Sequence, residues 1–242
     1  MHHDTCVIYT GRMCRSRNGG AGMRRGIFMS RRIGGAGMLA LTVACMLAGC
    51  GTDKTPDVSS LSIDKDGKVS HQIVGQFEQD YYEKDGLASL AQERAAEYCA
   101  DNGEGSVVLG EVDEQDGRVR IDFEYASDKD YSAFNNRTLF VGSLEEAAGS
   151  DYNLDYVAFV SPKGQPMEVG GIEEPEKKKV AIIGMKPTEE LLVNTYGKVL
   201  YINQSADTNL NVSFAGKSSV NISYPDSETE ATNGVLSYII FE

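Results

Sequence analysis

Hydrophobic positions along this chain follow two periods in alternation. Val58 to Ile63 alternates weakly and leads into Asp64-Lys65-Asp66-Gly67. Val69 to Gln76 follows, with Val69, His71 and Ile73 on one side. Two such runs joined by Asp-Gly predict a β-hairpin. The same design recurs with Val107 to Val112, the turn Glu114-Gln115-Asp116-Gly117, and Arg118 to Tyr125. In the second arm Val119, Ile121, Phe123 and Tyr125 share one face. Arg118, Arg120, Asp122 and Glu124 share the other. That period of two predicts a strand with one dry face and one wet face.

Between the hairpins the period changes. Leu87, Leu90, Ala91, Ala95, Tyr98 and Cys99 recur at steps of three and four, which predicts an amphipathic helix. Arg94 lies on the same stripe, so its stem is expected at the edge with the charge reaching solvent. Asn102-Gly103 predicts the stop. Ser127 followed by Asp130, and Ser143 followed by Glu146, predict two shorter helices; the second pair forms a capping box closed by Gly149. Pro162 to Lys179 loses both periods and holds three prolines and a charge run. Beyond it, short runs predict strands: Val180 to Ile183, Leu191 to Val193, Lys198 to Asn203, Leu210 to Phe214, Ser219 to Tyr224 and Val235 to Phe241. The expected fold class is α+β: an antiparallel sheet with helices on one face, followed by a mostly β C-terminal part. The expected division is an α+β domain over 58–170, a linker over 171–179 and a β-rich subdomain over 180–242.

The N-terminal pattern is of another kind. Arg24, Arg25, Arg31 and Arg32 precede the apolar run Met38 to Met46, and Leu47-Ala48-Gly49-Cys50 follows. The run is short and glycine-rich for a bilayer core of about 30 Å, and it suits a signal h-region of about 7–15 residues. The arrangement resembles a bacterial lipoprotein signal peptide with its lipobox. The resemblance implies cleavage before Cys50 and a diacylglyceryl group, with palmitate-type acyl chains, on the Cys50 thiol. Residues 1–49 are then leader and signal, with Met23 or Met29 the expected start. Residues 50–57 form a lipidated polar tether of at most about 25 Å. Two acyl chains hold a protein on a membrane where one does so only marginally. The expected location is therefore the extracellular face of the cell membrane.

Composition sharpens this reading. The whole chain has 242 residues and a formal net charge of −13. After Cys50 there remain 192 residues with 16 basic and 35 acidic side chains, a formal net charge of −19. Such a surface repels nucleic acid, whose binding needs basic clusters. Of the five cysteines only Cys99 follows Cys50, so no internal disulfide is expected in the mature chain.

Candidate chemistry is sparse. Asp64-x-Asp66-Gly67 opens like a calcium loop, but position 12 counted from Asp64 is Gly75, and a hairpin turn is the better account. His71 is the only histidine after Cys50 and sits beside Val69 and Ile73, which suits a partly buried structural residue. Cys99 reads as a small core residue. Glycoside hydrolysis needs two carboxylates of opposite tuning. Neither Glu145-Glu146 nor Asp113-Glu114 stands out among so many acids. The chain has no tryptophan, and Tyr81, Tyr82, Tyr152 and Tyr156 are the alternative stacking surfaces. Phosphate-cradling glycine motifs are missing from residues 51–242. No cofactor, metal ligand or catalytic residue is assigned.

Four blocks occur together: Asp130-Tyr131-Ser132-Ala133-Phe134-Asn135-Asn136, Leu139-Phe140-Val141-Gly142, Lys198-Val199-Leu200-Tyr201 and Ser237-Tyr238-Ile239-Ile240-Phe241. With the lipobox, the chain resembles surface lipoproteins of clostridia-like Gram-positive bacteria. The resemblance implies an extracellular address and a shared architecture, and carries no activity. The expected function is that of a membrane-anchored binding or envelope-interaction module with a peptide, glycan or envelope-protein ligand. The alternative is a carboxylate-dependent hydrolase acting on envelope glycan or peptide.

Overall fold

Two Asp-Gly turns organise the first half. In the computed structural model, which describes residues 58–77, 83–152, 154–204, 209–225 and 235–242, β1 (Ser59–Ile63) and β2 (Val69–Gln76) pair antiparallel. Asp64 Oδ1 accepts hydrogen bonds from the Asp66 and Lys68 amides at 2.9 and 2.8 Å, so its carboxylate holds the turn together. Helix α1 (Lys84–Asn102) ends at Gly103, whose φ of 106° is one that a glycine adopts freely. Strands β3 (Val107–Gln115) and β4 (Arg118–Tyr125) form the second hairpin. Asp116 and Gly117 both have positive φ, 54° and 73°, the requirement of a two-residue type I′ turn.

Helix α2 (Asp128–Asn135) is capped by Ser127, whose side chain accepts from the Asp130 amide, and it closes on Asn136 in the left-handed conformation. β5 (Leu139–Ser143) leads into α3 (Leu144–Ala148), where the capping box between Ser143 and Glu146 is complete. Two-residue strands β6 (Phe159–Val160) and β7 (Pro166–Met167) follow. Then come β8 (Lys179–Met185), β9 (Glu189–Thr195), β10 (Val199–Asn203), β11 (Asn211–Phe214), β12 (Ser219–Tyr224) and β13 (Val235–Phe241).

The strands form two sheets, ordered β11-β12-β9-β1-β2-β4-β3 and β5-β8-β13-β10-β6-β7. This is an α+β fold with a β-rich C-terminal part. Each sheet takes strands from both sides of residues 171–179, so the segment expected as a linker joins shared sheets rather than separating two cores. The physical reason is β1, which pairs with β2 on one edge and, in parallel, with β9 on the other. The described residues belong to one compact unit. Strands β5, β6 and β7 were not among the expected elements. The last two are too short to show a period, and β5 carries no alternation of polar and apolar side chains.

The inner face of the seven-stranded sheet is dry. Val220, Val193 and Leu61 lie side by side across β12, β9 and β1, all with 0% exposure. Burying each contributes about 1.5–3 kcal/mol relative to leaving it exposed. This face packs against Ala91 and Ala95 of α1, Tyr131 and Phe134 of α2, and one face of the six-stranded sheet through Ile183, Ile239 and Phe241. The opposite face of the second sheet, with Val180, Ile182 and Ile240, packs on Leu144 and Ala147 of α3 and on Leu154. Arg94 is exposed, as expected for the edge of the stripe, and in addition its Nη2 donates to the Phe134 carbonyl at 2.9 Å and its guanidinium sits 4.9 Å from the Phe134 ring centre. The charge thereby serves the C-terminal carbonyls of α2.

Candidate functional site

His71 occupies the middle of the inner face, opposite Leu61 on one neighbouring strand and Phe123 on the other. It is 7% exposed, and its ring meets Tyr131 edge-on at 5.4 Å. Nδ1 has no hydrogen-bond partner. Burial, and secondarily the nearby Arg137 cation, lower its pKa from 6.5 to about 3. The imidazole is therefore neutral near pH 7. General acid–base work asks for a pKa near the operating pH and reach to the substrate; His71 has neither. The burial is deeper than the partial burial expected from the sequence.

Around His71 the helix α2 supplies a ring of aromatic and polar groups. Tyr131 is fully buried and meets Tyr125 edge-on at 5.1 Å, and Phe134 packs between Phe123 and Tyr125. Burial raises the Tyr131 pKa, and its hydroxyl makes no aligned hydrogen bond. Just past the left-handed Asn136, Arg137 turns inward against that hydroxyl and pairs with Glu189 of β9. Burial disfavours the Arg137 charge, but Tyr131 and Glu189 outweigh it and raise the pKa. The pair pins the α2–β5 connection to the seven-stranded sheet.

Beside Arg137 lies an open depression of about 330 Å³ lined by Ser132, Asn136, Arg137, Thr138, Leu139 and Tyr152. Tyr152 packs against Phe140 at 5.3 Å. Burial, with Asp128 and Asp151 nearby, raises its pKa. The Ser132 hydroxyl is held by backbone groups of Asp128 and Leu139. It has no base partner to activate it as a nucleophile. The depression offers hydrogen bonds to a polar ligand. A second, more apolar depression of about 520 Å³ lies between α3 and the turn at Pro175, lined by Leu144, Ala148 and Val169 among others.

No family model, curated protein or solved structure matches this chain.

The residues singled out from sequence are dispersed. Cys50 and the lipobox, with Tyr81 and Tyr82, lie outside the described residues. Cys99 is half-buried, and its Sγ donates to the Val107 carbonyl at 3.2 Å. Glu146 is taken up by the capping box, and its hydrogen bond from the Ser143 amide lowers its pKa. Glu145 lines the second depression, while Asp113 and Glu114 belong to edge strand β3. Tyr156 is 87% exposed. Among the described residues no group of three or more His, Cys, Asp or Glu side chains is placed to hold a metal ion, and no helix is long and apolar enough to cross a membrane. Sequence reading missed Arg137. Its partner is 52 residues away, and nothing local signals the pairing.

Proposed function

We propose that this chain is a lipid-anchored protein of the extracellular face of the cell membrane, and that its folded body is a binding module of the cell envelope. The observation that carries this reading is Leu47-Ala48-Gly49-Cys50, placed after Met38–Met46 and a run of arginines. The first described residue follows Cys50 by eight positions, so a lipid on that thiol would hold the body close to the bilayer. At the Arg137 depression Ser132 is held by backbone groups with no base beside it and Arg137 is paired with Glu189, which suits contact rather than turnover.

Two measurements test the proposal. Mass spectrometry of native material is expected to find Cys50 as a diacylated N-terminus; an unacylated Cys50 with residues 1–49 still attached would overturn the anchor. Pull-down from envelope extracts is expected to return a reproducible ligand, and its failure to do so would overturn the binding role.

A further inference from the structure

We infer that the outward face of the seven-stranded sheet is a docking surface for an uncharged, polyhydroxylated polymer, that is, a neutral glycan strand. This deepens the proposed binding role and rests on it. The outward positions form two cross-strand rows. One runs Ser219–Asn194–Ser62–Ser70 over β12, β9, β1 and β2. The other runs Ser213–Asn221–Leu192–Ser60–Gln72 over β11, β12, β9, β1 and β2. Nine side chains, all hydroxyl, amide or aliphatic, thus cover five adjacent strands without a charge. In a chain with 36 acidic and 23 basic residues, that is a marked departure. The charges gather at the margins, with Glu190 at one end of β9 and Arg120, Asp122 and Glu124 on β4.

The chemistry selects the partner. Hydroxyls and amides both donate and accept hydrogen bonds, as sugar hydroxyls do. Two contacts join residues within the rows, Ser219 Oγ to Asn194 Oδ1 at 2.8 Å and Asn194 Nδ2 to Ser62 Oγ at 3.3 Å, and Gln72 Nε2 donates outward to Asp122 Oδ1 on β4 at 3.1 Å. The remaining capacity faces solvent. Leu192 is the one aliphatic side chain in the rows, too little for a protein interface with an apolar centre. A polyanion meets no cation within the rows, and at the margins Glu190, Asp122 and Glu124 outnumber Arg120, so the field of the molecule opposes it. A neutral strand meets neither obstacle. Strands spaced about 4.8 Å apart make the face about 20 Å wide across five strands, and each row contributes one side chain per strand along that width.

The test uses the full chain in detergent and cosedimentation with chitin and cellulose, with heparin-agarose as the polyanion. Wild type is expected to sediment with at least one of the two glycans, equally at low and high salt, and not with heparin. Ser70→Glu/Asn221→Glu places two charges at exposed positions of the face and is expected to weaken binding at least about tenfold. Gln92→Glu/Ala96→Glu adds the same charge on exposed positions of α1 and is expected to bind as wild type. If the face variant loses its thermal transition, Asn211→Glu/Ser213→Glu on edge strand β11 replaces it. Failure to bind either glycan, equal binding by wild type and face variant, or a dimer that the face variant dissolves would each overturn the inference. Retention on whole envelopes that the face variant leaves unchanged would overturn this surface while the tethered binding role stands.

Discussion

The Ser132 hydroxyl stands in for a missing β-strand against Leu139. Its Oγ lies 2.9 Å from the Leu139 amide and 2.8 Å from the Leu139 carbonyl. β5 is an edge strand, and edge backbone groups invite pairing with other chains. Here side chains take them one by one. Asp128 Oδ2 accepts from the Val141 amide at 2.8 Å, and Glu146 Oε2 accepts from the Ser143 amide at 2.6 Å. Ser132→Ala removes both contacts to Leu139 and leaves half-buried backbone groups unpaired. The expected loss is about 1–3 kcal/mol, read from the midpoint of urea unfolding. A stability equal to wild type would show that the hydroxyl is dispensable there.

His71 sets an acid limit on the fold. Its pKa is 6.5 without the fold and about 3 within it. Above pH 6.5 both states are neutral and the residue contributes no pH dependence. Between 6.5 and about 3 the unfolded chain binds a proton that the folded chain refuses. Stability therefore falls as pH falls through that window, by up to about 1.4 kcal/mol per pH unit. His71→Leu removes the proton and a buried nitrogen that has no partner. It is expected to flatten this part of the pH–stability curve while changing stability at pH 7 by less than about 1.5 kcal/mol. Urea titrations at several pH values between 3 and 7 check it; an unchanged slope in the variant would assign the acid limb to other groups.

Much of this architecture is legible in the chain because its signals are local. Asp116-Gly117 dictates a turn that only positive φ allows, Ser143 and Glu146 cap each other three residues apart, and Val119 to Tyr125 alternates by geometry. The pairing of β1 with β9 is different. It joins positions more than 130 residues apart, and nothing in Ser59–Ile63 distinguishes an edge strand from a central one. The same limit hid the candidate site. Arg137 gains its role from Tyr131 and from Glu189 on a distant strand, and the charge-free outward rows exist only once five strands are placed side by side.

Gly197 is required by its neighbour at the chain end. A Cβ built on it would lie 2.1 Å from the Glu242 carbonyl oxygen, far inside contact distance. That oxygen accepts from the Lys198 amide at 2.7 Å, and the Glu242 amide donates to Lys198 O at 3.0 Å. Gly197→Ala must break this pair or displace the end of β13. The expected cost is about 3 kcal/mol, the upper range for overpacking, with a lower thermal midpoint. Retention of the wild-type midpoint would mean that the last residues shift freely.

Arg137 and Glu189 are expected to depend on each other unequally. Their side chains are 13% and 29% exposed, so neither ion is fully hydrated. Arg137 is the more enclosed and faces Tyr131, while Glu189 also accepts from the Lys186 amide at 2.7 Å through Oε2. Removing the carboxylate strands a buried cation. Removing the cation leaves a carboxylate that keeps a backbone donor and some water. Glu189→Leu is therefore expected to cost about 3 kcal/mol, near the lower bound for breaking a buried pair, and Arg137→Met less. The double variant Arg137→Met/Glu189→Leu leaves no stranded charge and is expected to be more stable than Glu189→Leu alone. Urea unfolding of the four proteins gives the coupling directly. Additive losses in the double variant would show that the two side chains act independently.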